Sequence, residues 1–414
     1  MSEMKRIVYV LLALSIFSGC KESMQDLTDR VFKQAASDFV LLDSNTSETM
    51  LPGSMNPDGS FKLERPAGWT SGFFPGSLWY VYEYTGNEQM KDLAWKNTLK
   101  LESILDPAKD VSHDIGFMVN CSYGNAYRLT GDAHAREALE AGAAKLAARF
   151  NPVVGCTKSW GDRNPRVFKV IIDNMMNLEL LMNGYELFGA DSLKTIALTH
   201  ARTTMANHFR PDGSTWHLLI YDSEDGSIVK KQTVQGFCDD SAWSRGQAWG
   251  LYGYTMMYAK TGEKDFLKQA ETIASYIIPM LPKEGVPYWD FNAPGTPHAM
   301  PLDSPGAPAA KFADLFTGEK VERDASAGAI IASALVSLSS LTEDAHTSRR
   351  YLRTAERILR SLAGPNYLSA PGEDYGFLVK HCVVNLHGGA GIDVPLPYAD
   401  YYFLEALLRW NKIL

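Results

Sequence analysis

One short pattern recurs along this 414-residue chain and narrows what it can fold into. Tyr82-Glu-Tyr-Thr-Gly86-Asn, Tyr127-Arg-Leu-Thr-Gly131-Asp and Tyr258-Ala-Lys-Thr-Gly262-Glu share one plan, and Tyr185-Glu-Leu-Phe-Gly189-Ala-Asp is a looser copy. In each, an apolar helix ends at a glycine, which takes the left-handed backbone of a helix C-terminus without a Cβ clash. An Asp, Asn or Glu then opens a second, more charged helix. Residues 87–106, 133–150, 191–209 and 264–281 read as those second helices, with apolar residues three and four apart. The repeating unit is a helical hairpin.

Counting all such segments gives about twelve helices in six pairs. The first helices begin near residues 69, 112, 173, 239 and 324, one more lies at 397–413, and 24–43 opens as an outer-type helix. First helices are richer in small, apolar and aromatic residues, which marks them as buried on most sides. Six inner and six outer helices predict an all-α fold, an (α/α)6 barrel. Segments 216–221 and 286–291 read as short strands.

Links within a hairpin are tight. Links between hairpins are long, at 44–68, 151–172, 210–238, 282–323 and 364–396. Loops of this length in a compact domain are usually functional or disordered, and here they would gather at one end, where they can build a cleft. Each long link leads into an unusual cluster at the start of an inner helix. The clusters are Gly68-Trp-Thr-Ser-Gly-Phe-Phe-Pro-Gly76, Ser112-His-Asp-Ile-Gly-Phe117, Ile171-Ile-Asp-Asn-Met-Met-Asn177, Asp239-Asp-Ser-Ala-Trp-Ser-Arg-Gly-Gln-Ala-Trp249 and Arg323-Asp-Ala-Ser-Ala327. Polar groups at the mouth of apolar helices are what a pocket needs.

Asp114 and Asp173 each sit in an apolar helix start, where a lone carboxylate is costly. Desolvation raises a carboxyl pKa, so such a group can hold a proton near neutral pH and act as a general acid. Helix capping is the competing explanation. Asp240 and Asp324 fit it equally well, so position alone does not rank the four. His113 and His217 are candidate hydrogen-bond donors or proton relays. Arg245, between Trp243 and Trp249, has the fork that grips a carboxylate; a salt bridge to Asp239 or Asp240 is the alternative. Trp69, Trp160 and Trp289 lie in or beside loops and could face a flat ligand or merely pack at the rim.

The net charge of -8 argues against nucleic acid as a partner. Lys5 and Arg6, an apolar run from Ile7 to Phe17, then Ser18, Gly19 and Cys20 read as an export signal over 1–19. The Cys after Ser-Gly suits lipid attachment at Cys20, making the chain an exported lipoprotein, periplasmic or membrane-anchored, of a Gram-negative bacterium. A plain secretory signal is the alternative. Residues 20–414 then read as one domain. Cys121, Cys156, Cys238 and Cys382 are far apart in sequence, without a CxxC, and read as buried free thiols rather than zinc ligands. The chain has no GxSxG, Walker A, dinucleotide-glycine, HExxH or EF-hand pattern.

Ser-His-Asp114-Ile-Gly-Phe, Ile-Ile-Asp173-Asn-Met-Met-Asn-Leu, Ser-Arg245-Gly-Gln-Ala-Trp and Gly-Val-Pro-Tyr-Trp-Asp-Phe291, taken in order, resemble the unsaturated glucuronyl hydrolases of glycoside hydrolase family 88. The likeness runs from about residue 65 to the C-terminus. It implies an (α/α)6 catalytic barrel that removes a 4,5-unsaturated uronic acid from the non-reducing end of lyase-generated oligosaccharides by hydrating its vinyl ether. It implies that Asp173 gives a proton to C4 and takes one from the water attacking C5, and that Asp114 positions the sugar and tunes Asp173. Gln235, Trp243 and Arg245 would hold the uronate, with His217 and His113 nearby, and Trp69 and Trp160 would line the sugar sites. No metal or organic cofactor is implied; the partner is an unsaturated oligosaccharide. Some relatives that prefer sulfated glycosaminoglycans carry Ser-x-x-Ser-x-Lys near the C-terminus. Here the equivalents are Tyr375, Leu378 and Lys380, and the Lys alone is kept. The alternatives are an unsaturated rhamnogalacturonyl hydrolase acting on pectin fragments, an ordinary inverting glycosidase, and a non-catalytic glycan-binding lipoprotein.

Overall fold

The structure is a computed structural model that describes residues 22–307, 320–386 and 388–413. The export signal and Cys20 lie outside the described residues.

The Thr-Gly repeat folds as its chemistry requires. Gly86, Gly131, Gly189 and Gly262 have φ of 66°, 67°, 69° and 69°. Each glycine N–H donates to the carbonyl of the repeat tyrosine, Tyr82, Tyr127, Tyr185 or Tyr258, at 2.8 Å. The threonine works in both directions: Thr85 Oγ1 donates to Val81 O at 2.6 Å and accepts from Asn87 N at 3.2 Å. Thr130 repeats the arrangement with Ala126 and Asp132, and Thr261 with Met257 and Glu263. Asn87 and Asp132 then cap the next helices, each cap being worth about 1 kcal/mol.

The helices so delimited are α1 (Met24–Ser44), α2 (Phe73–Thr85), α3 (Glu88–Leu99), α4 (Ile115–Val119), α5 (Asn125–Thr130), α6 (Ala133–Ala147), α7 (Asn174–Phe188), α8 (Asp191–Asn207), α9 (Ser244–Thr261), α10 (Lys264–Met280), α11 (Ala325–Leu341), α12 (Ala345–Leu362) and α13 (Pro397–Asn411). A π-helical turn, Asn120–Gly124, joins α4 to α5, so the two act as one bent helix and the sequence count of twelve stands among the described residues. Five starts lie within about four residues of expectation; α9 begins at Ser244 rather than near 239. The reason is local: Ser241 Oγ and Phe237 N both bond Asp290, which holds 237–241 as a loop.

Helix α2 packs on the bent α4–α5 helix through α5 and the π-helical turn, α4 packs on α7, α7 on α9, α9 on α11 and α11 on α13, and α13 returns to α2, so the neighbours form a closed cycle. Helices α3, α6, α8, α10 and α12 back their own hairpin partners, and α1 backs α2 and α13. Burial follows this division. On α9 every residue from Ser244 to Met257 is buried, whereas α12 buries Tyr351, Thr354, Ala355, Ile358, Leu359 and Leu362 along one face. Between the inner helices lies an aromatic stack. Phe73 meets Phe117 and Tyr398, Phe117 meets Trp249 at 5.2 Å, and Trp249 meets Tyr402 at 5.5 Å. Small residues let the inner helices approach. A Cβ on Gly72 would lie 2.4 Å from Met118 O, so Gly72→Ala must part α2 from α4. A loss of about 1–3 kcal/mol is expected, read as a lower thermal midpoint; an unchanged midpoint would show the helices separating freely.

The long links carry small sheets. Residues 216–221 do contain a strand, β6 (Leu218–Asp222), placed between β5 (Val167–Ile171) and β7 (Ile228–Gln232). Residues 286–291 do not form a strand. Trp289, Asp290 and Phe291 are buried consecutively, without alternation. Only isolated bridges, Trp243 to Asp290 and Tyr288 to Arg323, occur there. Three antiparallel hairpins went unanticipated: β1 (Leu51–Met55) with β2 (Phe61–Glu64), β3 (Phe150–Asn151) with β4 (Cys156–Thr157), and β8 (Cys382–Asn385) with β9 (Ala390–Val394). Cys121, Cys156, Cys238 and Cys382 are buried free thiols.

Candidate active site

Strand register brings the first two groups together. Ile171 of β5 pairs with Leu218 of β6, and the ladder runs on through Ile172 N to His217 O at 3.0 Å. Asp173, one residue further, therefore stands beside His217, with Oδ2 3.7 Å from Nε2. The turn after β7 supplies Val234 N–H and Gln235 N–H, which both donate to His217 Nδ1 at 3.2 Å. Nδ1 accepts, so the neutral ring carries its proton on Nε2, toward Asp173. Burial depresses the His217 pKa to about 3, with Arg245 adding to the effect. The imidazole is thus an uncharged donor.

Burial raises the Asp173 pKa to about 7; Arg245 opposes the rise and Asp114 adds to it. The carboxyl does not cap α7, nor does Asp114 cap α4, so capping fails as the explanation for either. It holds for Asp324, whose Oδ1 accepts from Ser326 N and Ala327 N. Asp240 is exposed and lies within the loop that leads into α9.

Asp114 is held by its neighbours. Ser112 Oγ donates to its Oδ2 at 2.7 Å, and His113 Nε2 lies 3.3 Å from Oδ1. Trp160 sits near His113, ring centres 6.5 Å apart. Trp69 packs against Phe117 and Tyr398 and borders an open cavity of about 480 Å³ with Glu64, Arg65, Ser112 and Asp114. Arg65 was missed in the sequence, where it is one cation in a Pro-rich link.

Arg245 is buried, and its partner is neither Asp239 nor Asp240. Nη1 donates to Asp324 Oδ2 and Val383 O, both at 2.5 Å. Nη2 donates to Gln235 Oε1 at 2.8 Å and Val384 O at 2.6 Å. The guanidinium lies 4.5 Å from the Trp243 ring, and Trp243 stacks on His217 at 4.4 Å. His217, Trp243, Arg245 and Gln235 are therefore one packed unit. Trp289 is interior, not a platform; its carbonyl accepts from Ser244 N. Lys380 stands apart, lining another depression with Arg323, Tyr367, His381 and Asp393. A cavity of about 430 Å³ toward the other ends of the inner helices, lined by Tyr80, Glu179, Glu405 and Arg409, contains none of these residues.

Asp173 Oδ2, His217 Nε2 and Trp249 Nε1 are all buried without a hydrogen-bonding partner among the described residues. Orphaned polar atoms are costly, and two such donors beside an oxygen of a carboxyl with a raised pKa make this the candidate reaction centre. No group of three metal-ligating side chains occurs among the described residues.

No protein-family model matches the chain. An unsaturated glucuronyl hydrolase of Formosa agariphila is 39% identical over 351 residues, 84% of this chain and 80% of the relative. The chain belongs to the unsaturated glucuronyl hydrolases. A crystal structure of an unsaturated glucuronyl hydrolase specific for heparin superposes with a TM-score of 0.84 at 44% identity, over 94% of this chain and 98% of that one. A mutant of the Streptococcus agalactiae unsaturated glucuronyl hydrolase, in complex with dGlcA-GalNAc6S, matches with a TM-score of 0.77 at 28% identity, over 95% and 93%. Unsaturated glucuronyl hydrolases are glycosidases, and this chain is one.

Proposed function

We propose that this glucuronyl hydrolase removes a 4,5-unsaturated uronic acid from the non-reducing end of glycosaminoglycan fragments, with Asp173 as its acid and base. The observation that carries the assignment is Asp173 itself, protonated in part near pH 7 with Oδ2 unengaged. The substrate ring is a vinyl ether, O5–C5=C4. Asp173 gives its proton to C4, and positive charge develops over C5 and O5. Water adds to C5 and returns a proton to the Asp173 carboxylate. The C5 hemiketal opens by breaking C5–O5, and the hemiacetal left at C1 expels the next sugar. One water is consumed and Asp173 ends as it began.

Between the two transfers Asp173 is an anion. The Nε2–H of His217 and the field of Arg245 stabilise that anion, while Asp114 favours reprotonation. Both terminal nitrogens of Arg245 are already engaged by the protein, so Arg245 acts on the uronate mainly as a fixed positive charge, with Gln235 and Trp243 holding it there. Trp69 and Trp160 border the sugar, and His113 orients Asp114. The cycle of inner helices with its outer layer supports reading the fold as an (α/α)6 barrel.

The 44% identity to a heparin-specific relative favours unsaturated heparin disaccharides as substrate. The N-terminal pattern supports export and a lipid anchor at Cys20. Incubation with unsaturated disaccharides from heparin, chondroitin and pectin tests the assignment through loss of the double bond's ultraviolet absorbance. Loss is expected with the heparin product first. No loss with any of them overturns the proposal; loss with the rhamnose-linked substrate alone moves the enzyme to pectin.

A further inference from the structure

Asp114 owes its setting to a residue on another helix. Phe117 N–H donates to Asn177 Oδ1 at 2.8 Å, which identifies the oxygen end of that amide. Its nitrogen end then faces His113 Nδ1 at 2.9 Å. An amide nitrogen only donates, so Nδ1 accepts, and a neutral His113 must carry its proton on Nε2. That nitrogen points at Asp114 Oδ1, 3.3 Å away. Burial lowers the His113 pKa, with Asp114 opposing and Arg149 adding to the effect, so the ring stays neutral.

The fit around this amide is close. A Cβ on Gly116 would lie 2.3 Å from Asn177 Oδ1, which gives the glycine of Asp114-Ile-Gly-Phe a reason. The arrangement repeats that around Asp173 by other means. There two backbone amides occupy His217 Nδ1 and direct Nε2 at the carboxyl. Each carboxylate thus faces a neutral imidazole N–H whose tautomer is set from behind.

We infer that Asn177 is a positioning residue that locks His113 in its Nε2–H form and thereby holds Asp114 as an oriented hydrogen-bond acceptor near Asp173. The inference rests on the hydrolase reading of the site for its effect on turnover, but its structural half stands independently. In Asn177→Asp the new carboxylate still accepts from Phe117 N–H yet cannot donate to His113. It draws a proton to Nδ1 and leaves either a lone pair facing Asp114 or an imidazolium.

Nitrogen-15 NMR of labelled protein reads the tautomer directly. The wild-type His113 is expected to give the neutral Nε2–H pattern, and the Asn177→Asp protein the Nδ1–H or doubly protonated one. With the variant folded, kcat should fall about 10–100-fold with little change in KM, by analogy with the loss when a hydrogen-bond partner that orients a metal-ligating side chain is removed. A wild-type His113 protonated on Nδ1 overturns the inference, and this holds even if the variant does not fold. An Asn177→Asp protein with the shifted tautomer and unchanged kcat overturns the catalytic half. Wild-type protein with the Nε2–H pattern and no turnover of any unsaturated disaccharide supports the lock and defeats the hydrolase reading instead.

Discussion

Asp173→Asn is expected to lower turnover of an unsaturated disaccharide about 100- to 10,000-fold, the usual contribution of a positioned acid–base group, and at the same time to stabilise the protein. The second effect follows from the sign of the shift. In the unfolded chain the carboxyl has its ordinary pKa of 3.8; in the fold it titrates at about 7. Native protein therefore holds a proton that unfolded protein releases. The stability associated with that proton is complete below about pH 4 and lost as pH rises through about 7. The shift corresponds to roughly 4 kcal/mol at most. Asparagine cannot ionise, so the variant should melt above the wild type at pH 8, with the gap closing toward pH 4. Rate assays and melting curves across that range check both halves. Near-normal activity would remove Asp173 from its role, and a pH-independent gap would show that its carboxyl is not protonated in the fold.

Arg245→Ala is expected to be the most damaging single change for the fold. It leaves Asp324 buried without its cation and strips the donors from Val383 O, Val384 O and Gln235 Oε1. Breaking a buried pair in this way costs about 3–5 kcal/mol. Asp324→Asn in the same background should recover part of the loss, because it removes the stranded charge. Arg245 is also the strongest influence lowering the Asp173 pKa. Its removal should move the alkaline limb of the kcat profile to higher pH. A variant that melts like wild type would show that the pair adds nothing.

The hairpins were legible because their determinants are local. A tyrosine, a threonine and a glycine within five residues satisfy one another's backbone groups, and the same solution recurs. The helix-start clusters were legible for a related reason, since polar residues at the mouth of an apolar helix need an explanation. The partners of those clusters were not. Arg245 meets an acid 79 residues away rather than its sequence neighbours Asp239 and Asp240. His217 reaches Asp173 through strand register, which the pattern of residues 216–221 hinted at without naming β5 as the mate. Asn177 reads as one more polar residue in Asn-Met-Met-Asn, and only its contact across to Phe117 and His113 separates it from Asn174. The family resemblance, not spacing, ranks Asp173 over the other helix-start acids; the structure adds that Asp324, more deeply buried, is spent on its cap and on Arg245, whereas Asp173 makes no cap and leaves Oδ2 unpartnered.

The aromatic stack of Phe73, Phe117, Trp249, Tyr398 and Tyr402 has a bearing on how a polymer can be attacked. It fills the space between the inner helices, so a glycan cannot pass through them and must enter and leave by the end that holds Asp173. On the hydrolase reading, the reacting double bond exists only in the terminal ring that a lyase leaves, so it is the substrate's chemistry that confines the reaction to chain ends. An upstream enzyme that cuts chains internally therefore sets the supply, since each cut creates one new end and each end can be trimmed once.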